Sequence, residues 1–375
     1  MSWPGIDWVQ VQAHLRGGVR QRDGAHHPLT WRRSTALLVT AVLFAYGMLQ
    51  TRLFWALDAL LFPGWKRVEP DRPIFVVGNF RSGTTMFMKM LRHGVPRATS
   101  LSTWEIYMGT TVSQRLCMRG IAIVDRLFGA PLERVVRRFN ALLAQVPYHP
   151  IDLFGPEEDA GTLMFVWSGF FTWFLFPRSD RIPEVAMLDR MRPHRRRQVI
   201  GFYRDVVRKH LYARRRHRPS APPPTFISKN PAFTGAVNSL RAYFPDARIV
   251  TVVRDYEATV RSSTKWFRVW FRVLGARETR EPSVELVRRL VTLWHEYPQR
   301  MNVAHVDYCQ LIERPREELQ RIGRLLDIPR FAQGEKTESA VVELDYDHGS
   351  GGAQPPLPLR ARHEEDSRGS IHPVS

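Results

Sequence analysis

The residues that could do chemistry first appear in the stretch PIFVVGNFRSGTT, residues 73–85. Gly78 and Gly83 have the spacing of a nucleotide-binding P-loop, G-x-x-x-x-G-K-[ST], but Thr84 stands where that motif has lysine. A turn between a parallel strand and a helix points backbone N–H groups at one spot, at the positive end of the helix dipole. Glycines let the backbone close around an anion. Side-chain donors come from Arg81, Ser82, Thr84 and Thr85. The sequence predicts an anion-binding loop.

A second cationic position follows a later apolar run. An ATPase needs a magnesium-binding acid at the end of a neighbouring strand. The strand-like run RIVTVV, residues 248–253, instead ends in Arg254, followed by Asp255. We therefore expect a cationic site and no metal ion.

The elements that position these residues alternate along the chain. Strand-like runs cover 73–78, 225–229, 248–253 and 302–308. Helix-like runs cover 84–93, 116–146, 156–176, 186–218, 232–244, 283–301 and 315–328. Such alternation predicts an α/β fold, with a parallel sheet flanked by helices on both faces.

Composition bounds the class of protein. The 375 residues allow one large α/β domain of roughly 250 residues with extensions, and the two cysteines exclude a disulfide framework and a zinc cluster. The net charge of +19 comes mostly from arginine. This bias fits either a GC-rich genome or attraction to anionic ligands, membranes or nucleic acid, but no nucleic-acid-binding motif is visible. The Arg-rich stretch 190–218 is either a solvated helix face or a rim that attracts an anionic acceptor or lipid headgroups.

Two apolar stretches, 34–49 and 53–65, precede the predicted domain. Each is shorter than the approximately 20 residues of a spanning helix. Three interpretations remain open: one tilted span across about 34–56, a hairpin or interfacial anchor in one leaflet, or a buried helical pair. Membrane association is expected. The predicted organisation is a basic polar segment 1–33, a membrane-associating helix or hairpin 34–65, a catalytic domain 70–332 and a flexible tail 333–375.

VGNFRSGTT resembles the 5′-phosphosulfate loop of sulfotransferases that use 3′-phosphoadenosine 5′-phosphosulfate (PAPS), with Phe80 where the family has proline. VTVVRDYEATVRSS resembles the family's 3′-phosphate element, which places Arg254 at a strand end and Ser262 eight residues later. SKNPAF resembles the lysine-proline element of membrane-associated members, which are of bacterial and Golgi type. The segment 306–329 resembles the family's Y-E-D-L…P…L…L segment, with Cys309 in place of the usual Glu. The resemblance covers about residues 70–330 and implies a P-loop nucleoside-triphosphate-hydrolase-like sulfotransferase fold, here with N-terminal membrane-associating helices.

The resemblance also implies roles. Arg81 and the N–H groups of residues 82–85 would hold the phosphosulfate, while Arg254 and Ser262 would hold the 3′-phosphate. Lys229 would stabilise charge on the bridging oxygen. An acceptor hydroxyl needs a general base, and Glu105 lies where related enzymes place a catalytic glutamate. The rival bases are Glu157, Glu158, Asp159 and His149, and Glu105 could instead serve as a helix-capping or ion-pair residue.

Two features of the family are missing. Met86 stands where cytosolic members carry a tryptophan that stacks on adenine, and no late basic-glycine motif is identified. The implied activity is sulfuryl transfer from PAPS, as co-substrate, to a hydroxyl of a carbohydrate, glycolipid or other lipid-linked acceptor. The catalytic domain is expected on the side where PAPS is available, the cytoplasmic face in a bacterium. The alternatives are a P-loop kinase or NTPase and a non-enzymatic basic membrane-binding protein.

Overall fold

The fold is described from a computed structural model, which describes residues 5–9, 11–12, 30–146, 150–175, 185–217, 221–274, 280–335 and 340. Most of the basic segment 1–33, the rival base His149 and most of the tail 333–375 lie outside these residues.

Four parallel strands form one sheet. They are β1 (Ile74–Gly78), β2 (Ile227–Lys229), β3 (Arg248–Val253) and β4 (Ala304–Asp307), in the spatial order β2-β1-β3-β4. Every residue of β1 is buried, as its unbroken apolar run predicts for a strand covered on both faces. Gly78 pairs with Val252, so the loop after β1 and Arg254 after β3 emerge side by side at the same edge of the sheet.

Helices cover the sheet on both faces. In chain order the α-helices are α1 (Trp31–Leu61), α2 (Thr84–Gly94), α3 (Thr103–Met108), α4 (Val112–Leu127), α5 (Pro131–Leu143), α6 (Pro193–His217), α7 (Val237–Tyr243), α8 (Tyr256–Val273), α9 (Arg280–Gln299), α10 (Tyr308–Glu313), α11 (Pro315–Leu325) and α12 (Pro329–Ala332). Side chains of β1 alternate between two hydrophobic cores: Phe75 and Val77 enter one, and Ile74 and Val76 enter the other. The predicted parallel α/β architecture is confirmed.

Two predicted helical regions differ from the structure. The region 156–176 contains two 3₁₀ segments, Asp159–Val166 and Phe170–Leu175, and the start of 232–244 is a 3₁₀ segment, Pro231–Ala236. At Gly235 the backbone leaves the helical conformation, and a Cβ there would lie 2.0 Å from the carbonyl oxygen of Ala186. This geometry is set by the close packing of two backbone segments, which a local sequence pattern does not reveal.

The two apolar N-terminal stretches form one continuous helix, α1, rather than a hairpin or a helical pair. Among the described residues it is the one helix long and apolar enough to cross a membrane by length and composition. Its buried residues recur every three to four positions at Gly47, Thr51, Trp55 and Asp58. This spacing places them on one side of the helix, which packs on the domain.

Candidate active site

The loop after β1 is a backbone cradle. Three of its residues have positive φ: Gly78 (133°), Arg81 (63°) and Gly83 (97°). A Cβ on Gly78 would lie 2.7 Å from the carbonyl oxygen of Val252, and one on Gly83 would lie 2.5 Å from the ring of Tyr308. Helix α2 begins at Thr84 without a side-chain cap, so its first N–H groups point into the loop without intrahelical partners. The loop has the geometry of an anion site.

Phe80 occupies the loop position at which the family that the sequence resembles has proline, and its side chain is packed among aromatic rings. Its side chain is 4 % exposed and stacks on Trp266, with ring centroids 4.8 Å apart. It also contacts the rings of Phe170 and Trp294. Aromatic packing thus supplies the rigidity that a proline would give to the turn.

The structure brings the predicted cations together. Arg254 donates from Nη1 to the carbonyl oxygen of Arg81 at 3.1 Å, and Arg81 donates from Nε to the hydroxyl of Ser262 at 3.3 Å. The guanidinium of Arg254 lies over the ring of Tyr308, 4.6 Å from its centroid. The three residues predicted to contact phosphate groups, 181 positions apart at the extremes, therefore meet at one point.

Arg81 and Arg254 line a cavity of about 190 Å³. Its lining consists of Phe80, Arg81, Gly83, Thr84, Thr85, Met86, Glu158, Pro231, Arg254, Trp266 and Tyr308. We call it the donor cavity. Ser82 lies behind the lining, 1 % exposed, where its hydroxyl donates to the carbonyl oxygen of Asn79 at 2.7 Å. Ser82 therefore shapes the loop.

Lys229 ends β2 beside the donor cavity and is 2 % exposed. Its Nζ lies 3.2 Å from the carboxylate of Glu158 and 3.6 Å from that of Glu157. Burial alone would lower the pKa of Lys229, but the charges of Glu158 and Glu157 outweigh burial and raise it. Lys229 is therefore held protonated at the edge of the cavity.

Asp159, the neighbouring carboxylate, makes hydrogen bonds that hold the surrounding segments together. It accepts hydrogen bonds from Tyr203 (2.7 Å), Ser228 (2.9 Å) and Asn230 (3.0 Å). Burial raises the pKa of Asp159 to about 6 against the effect of these donors. Asp159 is 1 % exposed, and its bonds fix the segment around Ser228 to the 3₁₀ turn that carries Glu158.

A second cavity of about 300 Å³ adjoins the first, and we call it the apolar cavity. Its walls come from α1, α3, α8 and the segment 151–171. They are Thr40, Phe44, Thr103, Tyr107, Ile151, Glu157, Glu158, Met164, Phe171, Trp266, Trp270, Val273 and Leu274. Glu158 and Trp266 line both cavities. A carboxylate paired with a lysine thus stands where a cationic cavity meets an apolar one.

A family model described as the sulfotransferase family matches residues 73–333, which include the whole sheet and every residue that lines the donor cavity. The chain belongs to the sulfotransferase family. The sulfotransferase is 23% identical over 348 residues to omega-hydroxy-beta-dihydromenaquinone-9 sulfotransferase Stf3 of Mycobacterium bovis, over 88% of this chain and 81% of the relative. The protein of that name from Mycobacterium tuberculosis gives the same values.

Two solved structures share the fold of this sulfotransferase. Sulfotransferase STF9 from Mycobacterium avium superposes with a TM-score of 0.63 at 17% identity, over 92% of this chain and 88% of the other. Sulfotransferase STF1 from Mycobacterium tuberculosis H37Rv gives a TM-score of 0.60 at 19% identity, over 89% and 86%. The fold expected from the resemblance is confirmed.

Glu105, which the sequence predicts as the general base, lies on α3 of this sulfotransferase. It lines neither cavity, and its Oε1 lies 3.0 Å from Arg115 and 3.2 Å from Arg214. Its Oε2 accepts from the N–H and the hydroxyl of Ser102, which forms the capping box of α3. Burial would raise the pKa of Glu105, but the charges of Arg115, His210 and Arg214 lower it to about 2. These contacts are those of the capping and ion-pair role, the alternative left open by the sequence.

Several lining residues were not predicted from the sequence, among them Trp266, Tyr308 and Phe44. Trp266 lies one helical turn after Ser262 on α8, and Tyr308 directly follows β4. Both could have been predicted as site residues from these positions, because side chains one helical turn apart share a face and ligands bind at the carboxyl ends of parallel strands. Phe44 had no such signal, because its contact with the cavity arises from the packing of α1 against a distant segment.

Proposed function

We propose that this sulfotransferase transfers a sulfuryl group from PAPS to a hydroxyl of a lipid or lipid-linked acceptor. The observation that carries the proposal is the position of Glu158, which lines both cavities and pairs with Lys229 at 3.2 Å. A transferase needs its acid-base group where donor and acceptor meet, within hydrogen-bond reach of the acceptor hydroxyl.

The donor cavity fits the phosphate groups of PAPS. Arg81 and the N–H groups at the start of α2 would hold the 5′-phosphosulfate, which supplies the activated sulfuryl group. Arg254 and Ser262 would hold the 3′-phosphate, with Tyr308 supporting the Arg254 guanidinium from one side. In this arrangement the positive charge comes from arginine side chains, which fits a cleft that binds anions.

Glu158 is our candidate for the general base, in place of Glu105. It would accept the proton of the acceptor hydroxyl as the acceptor oxygen forms its bond to sulfur and the bond from sulfur to the phosphate oxygen breaks. Protonation of Glu158 weakens its attraction for Lys229, whose ammonium can then stabilise the charge on the departing phosphate oxygen. The products would be the sulfate ester and adenosine 3′,5′-bisphosphate, and Glu158 would release its proton to solvent.

The apolar cavity indicates the acceptor class. Its walls include Phe44, Trp270, Val273 and Leu274, which suit an apolar chain better than a free sugar. The name of the mycobacterial relative describes a hydroxylated menaquinone as its acceptor. Both points support a hydroxyl carried by a lipid. We place the catalytic domain on the membrane face where PAPS is available, the cytoplasmic face in a bacterium.

The test of the donor assignment is calorimetry with adenosine 3′,5′-bisphosphate. Arg81→Ala and Arg254→Ala should each weaken binding at least tenfold, because each removes a charge-assisted contact to phosphate. Arg330→Ala, an exposed arginine on α12, is the control. Unchanged affinity in both site variants would refute the assignment.

The acceptor class is tested by incubating the protein and labelled PAPS with lipid and glycan extracts. Label found only in water-soluble glycans would contradict a lipid acceptor.

A further inference from the structure

Helix α1 has two opposite faces along its length. One side faces the domain through Thr40, Phe44, Gly47, Thr51, Trp55 and Asp58. The other side presents exposed apolar side chains: Leu38, Val39, Val42, Tyr46, Leu49 and Leu53. At 100° per residue the two sets fall on opposite sides of the helix. The helix is therefore a partly covered element with a bare apolar stripe.

The inward face of α1 is fixed by polar contacts. Asp58 is fully buried and accepts from Lys209 Nζ at 2.9 Å and from the N–H groups of Val112 and Ser113 at 2.8 Å. From Thr40 to Asp58 the helix follows the domain for about 27 Å, close to the roughly 30 Å thickness of a bilayer's hydrocarbon core. A helix packed on the domain over that length is not surrounded by lipid.

The α4–α5 hairpin, residues 112–143, adjoins the end of α1. The hydroxyl of Ser113 donates to the carbonyl oxygen of Phe54 at 3.1 Å, and Gln114 donates to the side chain of Gln50 at 3.2 Å. Within the hairpin, the carboxylate of Asp125 accepts from two N–H groups of the first turn of α5, at 2.8 and 2.9 Å. The turn is thus well formed even though the hairpin projects from the domain.

This hairpin has the composition of a surface that contacts lipid. None of the residues of α5 is buried. Exposed apolar side chains lie on one side of α5, at Leu132, Val135, Phe139 and Leu142. On α4 they are spread more widely, at Leu116, Ile121, Ile123, Val124 and Leu127, and Phe128 follows directly after that helix. Exposed arginines accompany them at positions 119, 126, 134, 137 and 138, against two acidic residues, Asp125 and Glu133. An apolar face beside arginines is typical of helices that lie in a membrane interface.

We propose that the outward face of α1 and the α4–α5 hairpin together dock on the surface of an anionic lipid bilayer, with α1 lying in the plane of the interface rather than crossing it. The apolar side chains would enter the boundary between headgroups and acyl chains, and the arginines would contact anionic headgroups. A second copy of the chain is a poorer occupant, because a two-fold contact would bring like-charged hairpins together.

The first experiment measures partitioning of the full-length protein onto vesicles of phosphatidylcholine with and without phosphatidylglycerol. Phe128→Asp and Phe139→Asp should each weaken binding about tenfold, because removing one phenylalanine side chain from an apolar environment costs about that much binding free energy. Leu325→Asp is the matched control, since Leu325 is 58 % exposed on α11, away from this surface. Arg134→Gln with Arg138→Gln should reduce the phosphatidylglycerol dependence without changing the melting temperature. Binding equal to that of the unsubstituted protein in all of these variants would overturn the proposal.

The second experiment separates an in-plane helix from a spanning one. A fluorescent label on Leu38→Cys or Leu49→Cys, with Cys117 and Cys309 replaced by serine, is quenched by lipids brominated at known depths. For α1 in the plane the two labels should lie at similar depths. A spanning α1 would place them about 16 Å apart, at 1.5 Å per residue, and that result would overturn the proposal.

Sedimentation of the same variants tests the other occupant. The unsubstituted protein and Phe139→Asp should sediment as the same species in the absence of lipid. If Phe139→Asp dissociates an oligomer and leaves vesicle binding unchanged, the hairpin is a subunit interface and the proposal fails. None of the substituted residues lines the donor cavity, so failure here leaves the proposed transfer reaction standing.

Discussion

Substitution of Glu105 by glutamine distinguishes a structural carboxylate from a catalytic one. Glutamine has nearly the same shape and still accepts from Ser102, but it removes the charge that faces Arg115, whose side chain is 7 % exposed. The variant leaves a buried guanidinium without its counter-charge. Breaking a buried ion pair in this way costs roughly 3–5 kcal/mol.

The pKa of Glu105 gives an independent magnitude. It falls from 4.5 to about 2 on folding, and this difference corresponds to about 3 kcal/mol of stability at pH 7. Because the folded-state pKa is the lower one, this stability is fully present above pH 4.5 and is lost as the pH falls towards 2. At pH 3 about 1 kcal/mol of it should remain.

The assay is urea unfolding of the unsubstituted protein and of Glu105→Gln at pH 7 and pH 3, with turnover measured at pH 7 on folded protein. We expect a stability difference of about 3 kcal/mol at pH 7 that shrinks at pH 3, and turnover within a few-fold of normal. If Glu105→Gln is as stable as the unsubstituted protein and loses turnover a hundredfold or more, the reasoning is refuted and Glu105 is the base.

Two further predictions concern the donor cavity. Glu158→Gln should lower kcat by about 10²–10⁴-fold while calorimetry shows adenosine 3′,5′-bisphosphate binding unchanged; retained turnover would exclude Glu158 as base. Gly83→Ala should weaken that binding at least tenfold, because the new Cβ would lie 2.5 Å from the ring of Tyr308. Gly129→Ala is the matched control, since Gly129 also has a positive φ, 82°, but opens to free space. Equal effects of the two glycine substitutions would show that backbone strain alone matters.

The local parts of the site were predictable from the sequence. The strand, the glycines and the donors of residues 73–85 are neighbours in the chain, and the apolar run 248–253 ends at Arg254 as expected. Local pattern also located several of the helices that surround the sheet, but α8 was not among the predicted helix-like runs. The sequence predicts helices over 156–176 and 232–244, but the structure has 3₁₀ segments at 159–166 and 231–236. Packing of one backbone segment against another, as at Gly235, overrides the local preference there.

The choice among carboxylates was beyond the sequence. Glu105 and Glu158 both follow the loop and lie near the start of a helical segment, and local pattern cannot tell them apart. Tertiary packing brings Arg115 and Arg214 to the first and Lys229 to the second. Electrostatic environment therefore depends on residues up to 109 positions away, which explains why the base was predicted at Glu105 and is now proposed at Glu158.

The sequence by itself determined that the chain carries a glycine-containing loop after a strand, a parallel sheet and an apolar N-terminal segment, because each depends on the types and spacing of residues close together in the chain. Only the tertiary structure decided which carboxylate faces both cavities and which side of α1 is covered. Burial, charge pairing and exposed apolar surface arise when distant segments pack, and Asp58, held by Lys209 on another helix 151 positions away, shows that dependence most directly.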